Sequence, residues 1–136
     1  FFDNFDTTLA LGHPPFAGDW APTDARYGRW LRYRIPPVGP DGHLDPLALP
    51  PIVDMMPPAV FMKLGPKHPV LYAPSLDLTM HVLSEAAAGW LLTVASSRRS
   101  MRGYATADID VWDSRGALVA FGTQTMLLRP VRRRFD

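Results

Sequence analysis

The second half of the chain predicts four successive β-strands, and this restricts the fold more than any other feature of the sequence. The strands cover residues 75–82, 90–95, 104–112 and 118–128. In the first of them apolar and polar residues alternate, which is typical of a strand with one buried face. The connections are short, and the last of them, DSRG, is a turn sequence. Because short connections join antiparallel neighbours, the pattern predicts an antiparallel meander.

One strand and one helix precede these four strands. Residues 29–35 alternate basic with aromatic or aliphatic side chains, which predicts a strand with one solvated face. Asp45 and Pro46 form a helix-start signal, and the apolar run after them predicts a helix over residues 47–56, closed by the next proline pair. Another proline pair, at residues 50–51, predicts a kink or an offset start. A helix and a curled antiparallel sheet that bury each other make an α+β domain.

Size and composition indicate one globular domain. The chain has 136 residues, of which 47% are hydrophobic and 20% charged, enough to form a sizeable core. We expect an N-terminal loop and short-strand region over residues 1–28, the α+β domain over residues 29–130 and a basic tail over residues 131–136.

Composition also excludes several classes of function. A net charge of +1 gives no reason to expect nucleic acid as a partner. The absence of cysteine removes disulfides, zinc–thiolate sites and cysteine nucleophiles, and it fits a cytoplasmic location. No apolar run reaches about 18 residues, so no membrane span is expected. The start lacks both an initiator Met and a signal-peptide pattern, and we expect a fragment of a longer protein.

Three polar residues occupy positions that are otherwise apolar. Asp54 lies in PIVDMMPPAVF, Ser75 begins the strand SLDLTMHV, and Gln124 lies inside VAFGTQTMLL. An unpaired polar group in a protein core costs about 1–3 kcal/mol. Together a carboxylate, a hydroxyl and an amide have the chemistry to hold one water molecule and direct it at a carbonyl carbon.

The segments DPLALPPIVDMMPPAVF, SLDLTMHVL, GWLLTVASS and GYATADIDVWDSRGALVAFGTQTMLLRP, in this order and spacing, resemble the C-terminal half of a double hot-dog acyl-CoA thioesterase of the bacterial type II group. The resemblance covers residues 12–130. It implies the hot-dog fold, in which a curled antiparallel sheet wraps one central helix. It also implies hydrolysis of a fatty acyl-CoA to free acid and CoA, without a cofactor or a metal.

The same resemblance implies roles for individual residues. The family's catalytic set is an Asp on the central helix, a Thr or Ser that begins the next long strand, and a Gln on the last strand. These correspond to Asp54, Ser75 and Gln124. Backbone amides at a helix start would stabilise the oxyanion.

Substrate-binding residues are predicted from their chemistry. Methionines line irregular apolar space well, so Met55 and Met80, together with Met56 and Met62, are candidates to contact the acyl chain. Arginine forks bind phosphate, so Arg98 and Arg102 are candidates to contact CoA.

Other interpretations of these residues remain open. His68 suggests a hot-dog hydratase, but no Asp stands about five residues before it. Ser75, Asp77 and His81 suggest a serine-hydrolase triad on one strand face, yet residues four apart on a strand lie about 13 Å apart. The sequence shows no set of metal-ligating residues with usable spacing.

A non-catalytic hot-dog domain that binds acyl chains or serves in assembly is the alternative function. A single hot-dog domain leaves a sheet edge uncovered, so we expect a second hot-dog domain as partner. That partner would be a second copy of the chain or a separate N-terminal half.

Overall fold

A computed structural model describes residues 2–131 of the chain. The elements, in chain order, are β1 (Phe5–Leu11), β2 (Arg26–Tyr33), α1 (Pro50–Val53), α2 (Pro57–Leu64), β3 (Leu71–Tyr72), β4 (Ser75–Val82), β5 (Leu91–Met101), β6 (Tyr104–Asp113), β7 (Leu118–Leu127) and β8 (Arg129–Pro130). Short 3-10 turns cover Phe2–Asn4 and Pro46–Ala48. Of the predicted basic tail, only Val131 lies within the described residues.

Six strands form one antiparallel sheet in the order β1-β2-β5-β6-β7-β4. The short strands β3 and β8 form a separate pair. The predicted meander holds for β5, β6 and β7, but it is wrong for β4, which pairs with β7 and not with β5. Residues 83–90 carry the chain from this edge to the middle of the sheet. As a result β4 is an edge strand beside the last strand of the meander.

The first strand lies within the region that the sequence analysis described as loop and short strand. β1 pairs with β2 from Phe5 opposite Tyr33 to Leu11 opposite Gly28. The sheet therefore extends toward the N-terminus beyond the predicted strand at residues 29–35.

The helical segment differs from the predicted single helix over residues 47–56. Asp45 does cap a helical start, because its side chain accepts a hydrogen bond from the Leu47 amide at 2.9 Å. The prediction that the pair Pro57 and Pro58 ends the helix is wrong, since these residues begin α2. Proline suits the first turn of a helix because amides there have no partner inside the helix. Each proline pair thus starts a new short helix.

The core lies between the helices and one face of the sheet, which we call the inner face. Its fully buried side chains come from both sides of that interface: Leu31, Leu49, Ile52, Val53, Met56, Met62, Leu91, Ile109, Val111 and Met126. The segment Pro46–Leu64 has the length and mean hydropathy of a membrane-crossing helix, but 44% of it is buried inside the domain. The core helices of globular domains meet the same criterion of length and composition.

At Gly122 of β7 the α1 helix packs closely against the sheet. A Cβ atom at this residue of β7 would lie 2.2 Å from Cγ1 of Val53 and 3.2 Å from the carbonyl oxygen of Thr79. Only glycine permits this contact. The close approach fixes the height of the α1 end above the sheet.

Candidate active site

Three polar side chains from distant parts of the chain meet on the inner side of the sheet. Ser75 Oγ donates a hydrogen bond to Asp54 Oδ1 at 2.9 Å. Gln124 Nε2 donates to the same carboxylate oxygen and also to Ser75 Oγ. Gln124 is buried, whereas Asp54 and Ser75 are exposed. The structure thus brings together the residues that the sequence singled out, and their catalytic role stays a prediction.

A β-bulge at the start of β4 directs the Ser75 hydroxyl toward this site. Ser75 lies opposite Met126, and the register shifts before Asp77. Met126 shares the inner face with Gln124, and both are buried. The expected position of Ser75 on the face of Asp77 and His81 is wrong, because the bulge interrupts the alternation of side chains.

Asp54 is positioned by the turn between the two helices. Its amide donates to the Pro50 carbonyl at 3.0 Å and ends α1, so Asp54 follows the helix and does not lie inside it. The buried Val53 side chain fixes the backbone next to it. The 3-10 turn before α1 is attached to β2, because the Tyr33 hydroxyl donates to the Ala48 carbonyl at 2.8 Å. Burial raises the pKa of Tyr33.

An apolar cleft of about 640 Å³ opens beside Asp54. This volume falls within the usual range of about 300–1,000 Å³ for small-molecule sites. Asp54 and Arg29 are its charged lining residues. The rest of the lining is mostly aromatic and proline side chains: Phe2, Pro15, Phe16, Tyr27, Pro51, Met55, Pro57, Pro58, Phe61 and Thr93. The cleft therefore suits a ligand with an apolar body and a polar group at Asp54.

The predicted methionines fall into two sets. Met55 lines the cleft, and Met80 is half-buried on β4, opposite Gly122. Met56 and Met62 are fully buried in the core. Within the described residues, only Met55 of these four lines the cleft.

The predicted CoA-binding arginines lie away from the cleft. Arg98 on β5 forms an ion pair with Asp108. Arg102 lies in the turn between β5 and β6, with a φ of 54°. Neither lines the cleft, and their contact with CoA stays a prediction.

Arg29 lines the cleft, although it was not among the site residues predicted from the sequence. On β2 it shares the inner face with the buried residues Tyr27 and Leu31. The sequence does indicate this position, because Arg29, Leu31 and Tyr33 are alternate residues of one strand and alternate residues lie on the same face. The prediction of one solvated face treated all the arginines of this strand alike.

One group of metal-ligating side chains comes together within residues 2–131. It consists of Asp41, His43 and Glu85. The Asp41 carboxylate lies 3.4 Å from Nδ1 of the His43 ring, and the Glu85 carboxylate lies 3.7 Å from Nε2. The two carboxylates thus approach different nitrogens of the His43 ring, and one ligand atom from each of the three residues lies within 4.8 Å of the others.

Known structures share this architecture. A conserved protein of unknown function with a hot-dog fold from Alicyclobacillus acidocaldarius aligns with a TM-score of 0.74 and 25% identity, over 96% of this chain and 47% of that one. A proposed thioesterase from Novosphingobium aromaticivorans aligns with a TM-score of 0.71 and 28% identity, over 94% and 44%. A Streptococcus mutans protein bound to acetyl-CoA gives a TM-score of 0.69 and 16% identity, over 98% and 94%. The predicted hot-dog fold is confirmed.

The chain spans less than half the length of the first two of these proteins. Whether it belongs to a double hot-dog arrangement stays a prediction. No protein among those with curated descriptions matches the chain. The family model of the acyl-CoA thioesterase C-terminal domain matches residues 1–128. The chain therefore belongs to the acyl-CoA thioesterase C-terminal domain family.

Proposed function

We propose that the protein hydrolyses acyl-CoA thioesters, with Asp54, Ser75 and Gln124 positioning the attacking water. The observation that carries this proposal is the mutually hydrogen-bonded set of three polar groups, of which Asp54 lines the apolar cleft. The family of the chain supports the same reaction type. The acyl chain would occupy the cleft along Met55, and the thioester carbonyl would lie next to Asp54.

The two oxygens of the Asp54 carboxylate have different hydrogen-bond partners and therefore different proposed roles. Oδ1 accepts from Ser75 and Gln124, which holds the carboxylate in one orientation. No described residue donates to Oδ2, so this oxygen can accept a proton from water. The water oxygen then bonds to the thioester carbon, and the tetrahedral intermediate collapses as the C–S bond breaks. The proton passes to the leaving CoA thiolate, and no covalent enzyme intermediate is required.

Helix-start amides do not supply the oxyanion site that the resemblance implied. Proline occupies the first two positions of both α1 and α2, and proline has no N–H. The third amide of each helix is also engaged, because Ile52 donates to Leu49 and Ala59 donates to Met56. Stabilisation of the oxyanion must come from other groups.

The test of this proposal is hydrolysis of acyl-CoAs from short to long chain by wild type and by Asp54→Asn. The variant keeps the size of the side chain and removes the base, so we expect turnover to fall by about 10²- to 10⁴-fold. Asp24→Asn is the matched control, since Asp24 is exposed and does not line the cleft. Unchanged turnover in Asp54→Asn would show that Asp54 is not the base.

Binding measurements decide between the proposal and the non-catalytic alternative. If no acyl-CoA is hydrolysed but a fatty acyl ligand binds, the chain is an acyl-binding hot-dog domain. Tryptophan fluorescence can follow that binding, since the chain contains four Trp.

A further inference from the structure

Arg29 is a cation on the inner face of the sheet, and it has no carboxylate partner within the described part of the chain. Its neighbours in register are Leu9 on β1 and Thr93 on β5, and Thr93 is buried. On the same strand Arg32 pairs with Asp6, and in the β6–β7 turn Arg115 pairs with Asp113. Among residues 2–131, no ion pair involves Arg29. An unpaired guanidinium on a face that otherwise forms the core needs a reason.

The Arg29 side chain is held in one position. Its Nε and Nη2 atoms donate to the Tyr27 hydroxyl at 3.1 and 2.6 Å. Its guanidinium carbon lies 5.6 Å from the Tyr27 ring centre and 5.9 Å from that of Phe2. A guanidinium has five N–H donors. Tyr27 takes two of them, so three remain for a ligand.

The cleft around this group is otherwise almost free of charge. Its walls are apolar, and Asp54, the other charged residue of the lining, is not within ion-pair distance of Arg29. A charged group flanked by apolar walls interacts more strongly with an opposite charge than it would in water. Asp54 and Arg29 are therefore the two charged groups that a ligand in this cleft can reach.

We infer that Arg29 binds a carboxylate at the far end of the acyl chain, so that the preferred substrates are thioesters of dicarboxylic acids. This rests on the proposed function, because the thioester carbonyl must lie at Asp54. A carboxylate matches the guanidinium fork with two parallel hydrogen bonds. A phosphate of CoA would offer the same negative charge, and the experiment separates these two sources.

The experiment compares adipoyl-CoA with hexanoyl-CoA, which have equal chain length and differ in the terminal carboxylate. We expect wild type to favour adipoyl-CoA in kcat/KM by about 10- to 100-fold, the effect of charge-assisted hydrogen bonds. Arg29→Leu should abolish that preference, and Arg29→Lys should retain part of it. Arg26→Leu is the matched control on the same strand, because Arg26 is exposed and does not line the cleft. It should keep the preference of wild type.

A second comparison uses the adipoyl and hexanoyl thioesters of N-acetylcysteamine. This carrier has no phosphate, so only the terminal carboxylate of the acyl group can then bind to Arg29 as an anion. A preference that persists on this carrier supports the inference. A preference that is absent in wild type overturns it. An equal loss of kcat on both acyl groups in Arg29→Leu also overturns it, and indicates contact with the thioester oxygen or with CoA.

Non-hydrolysable thioethers distinguish a failed inference from a failed function. S-(5-carboxypentyl)-CoA and S-hexyl-CoA are titrated into the wild-type chain and into Arg29→Leu. Tighter binding of the carboxylated thioether that requires Arg29 supports the inference, even if no substrate is hydrolysed. Equal binding of the two thioethers by wild type overturns it, whether or not hydrolysis occurs.

Discussion

Among single residues, Gln124 is the most constrained member of the candidate site. Its side-chain nitrogen donates to both Asp54 and Ser75. Its Oε1 atom is buried and accepts no hydrogen bond from the described residues. The amide therefore acts through its two N–H groups, which keep the carboxylate and the hydroxyl side by side.

The Ser75 position tests whether a hydroxyl is all that the site needs. Ser75→Thr keeps the hydroxyl, and β-branched residues suit a strand. We expect it to retain most of the wild-type turnover, whereas Ser75→Ala should lower turnover by about 10-fold, because one hydrogen bond to a charged group is lost. Steady-state hydrolysis of the best acyl-CoA measures both. Equal turnover in Ser75→Ala and wild type would remove Ser75 from the proposed mechanism.

Among the elements, the contact between α1 and β7 tolerates no added atom. In Gly122→Ala the new Cβ would overlap Val53, whose backbone leads into Asp54. We expect a loss of about 1–3 kcal/mol in the free energy of unfolding, together with lower turnover. Urea denaturation and hydrolysis measure the two effects. Gly89→Ala is the control, since the nearest heavy atom would lie 3.9 Å from its Cβ; equal midpoints for both variants would contradict the prediction.

The turn between β6 and β7 is organised by one buried carboxylate. Asp113 accepts hydrogen bonds from the Nε and amide of Arg115 and from the amides of Ala117 and Ala87. Ala87 belongs to the connection that crosses from β4 to β5. Asp113 therefore attaches that connection to the hairpin.

This carboxylate predicts a pH dependence of stability. Burial alone raises the pKa of Asp113, but the hydrogen bonds from Arg115, Ala117 and Ala87 outweigh burial and hold the pKa below its ordinary value of 3.8. Because the pKa of Asp113 is lowered in the folded protein, its carboxylate stabilises the fold at pH values above 3.8. This stabilisation is lost as the pH falls through the lowered pKa of the folded protein. We expect Asp113→Asn to lose about 1–3 kcal/mol of unfolding free energy near neutral pH.

Urea denaturation from about pH 7 to about pH 3 checks that dependence. The difference between wild type and Asp113→Asn should shrink as the solution becomes acidic. Asp24→Asn controls for the general loss of a carboxylate. A constant difference across the whole range would contradict the prediction.

Elements whose pattern is local were predictable from the sequence, and those that depend on a distant partner were not. The strands of the β5–β7 meander and the Asp45 cap follow from alternation and turn chemistry. The bulge at Ser75 could not be predicted, because it appears only when β4 is set against β7. Gln124 was identified because a single amide interrupts an apolar face. Arg29 was missed because the prediction of one solvated face placed every arginine of its strand on that face.

At the scale of the whole molecule, β4 is one of the two edge strands of the six-stranded sheet, and most of its side chains are exposed. Leu76, Leu78 and Val82 on this strand have exposed side chains. An uncovered edge strand with apolar side chains favours association with another sheet. This agrees with the expected second hot-dog domain.

We therefore predict that the chain is dimeric at micromolar concentration in analytical ultracentrifugation. A double variant, Leu76→Lys with Val82→Lys, should shift it toward the monomer, because lysine on an edge opposes pairing. Leu47→Lys is the control, since Leu47 is exposed and lies outside β4. A wild-type monomer at that concentration would contradict the prediction.

The candidate site draws its side chains from three distant segments of the chain, and this determines when the site can form during synthesis. Asp54 and Ser75 are 21 residues apart in sequence, while Gln124 follows them by 70 and 49 residues. A nascent chain that has not yet released β7 from the ribosome has neither the amide nor the partner strand of β4. Contacts of such long sequence separation form late in folding. Gain of hydrolysis during translation or refolding would therefore report completion of the whole sheet.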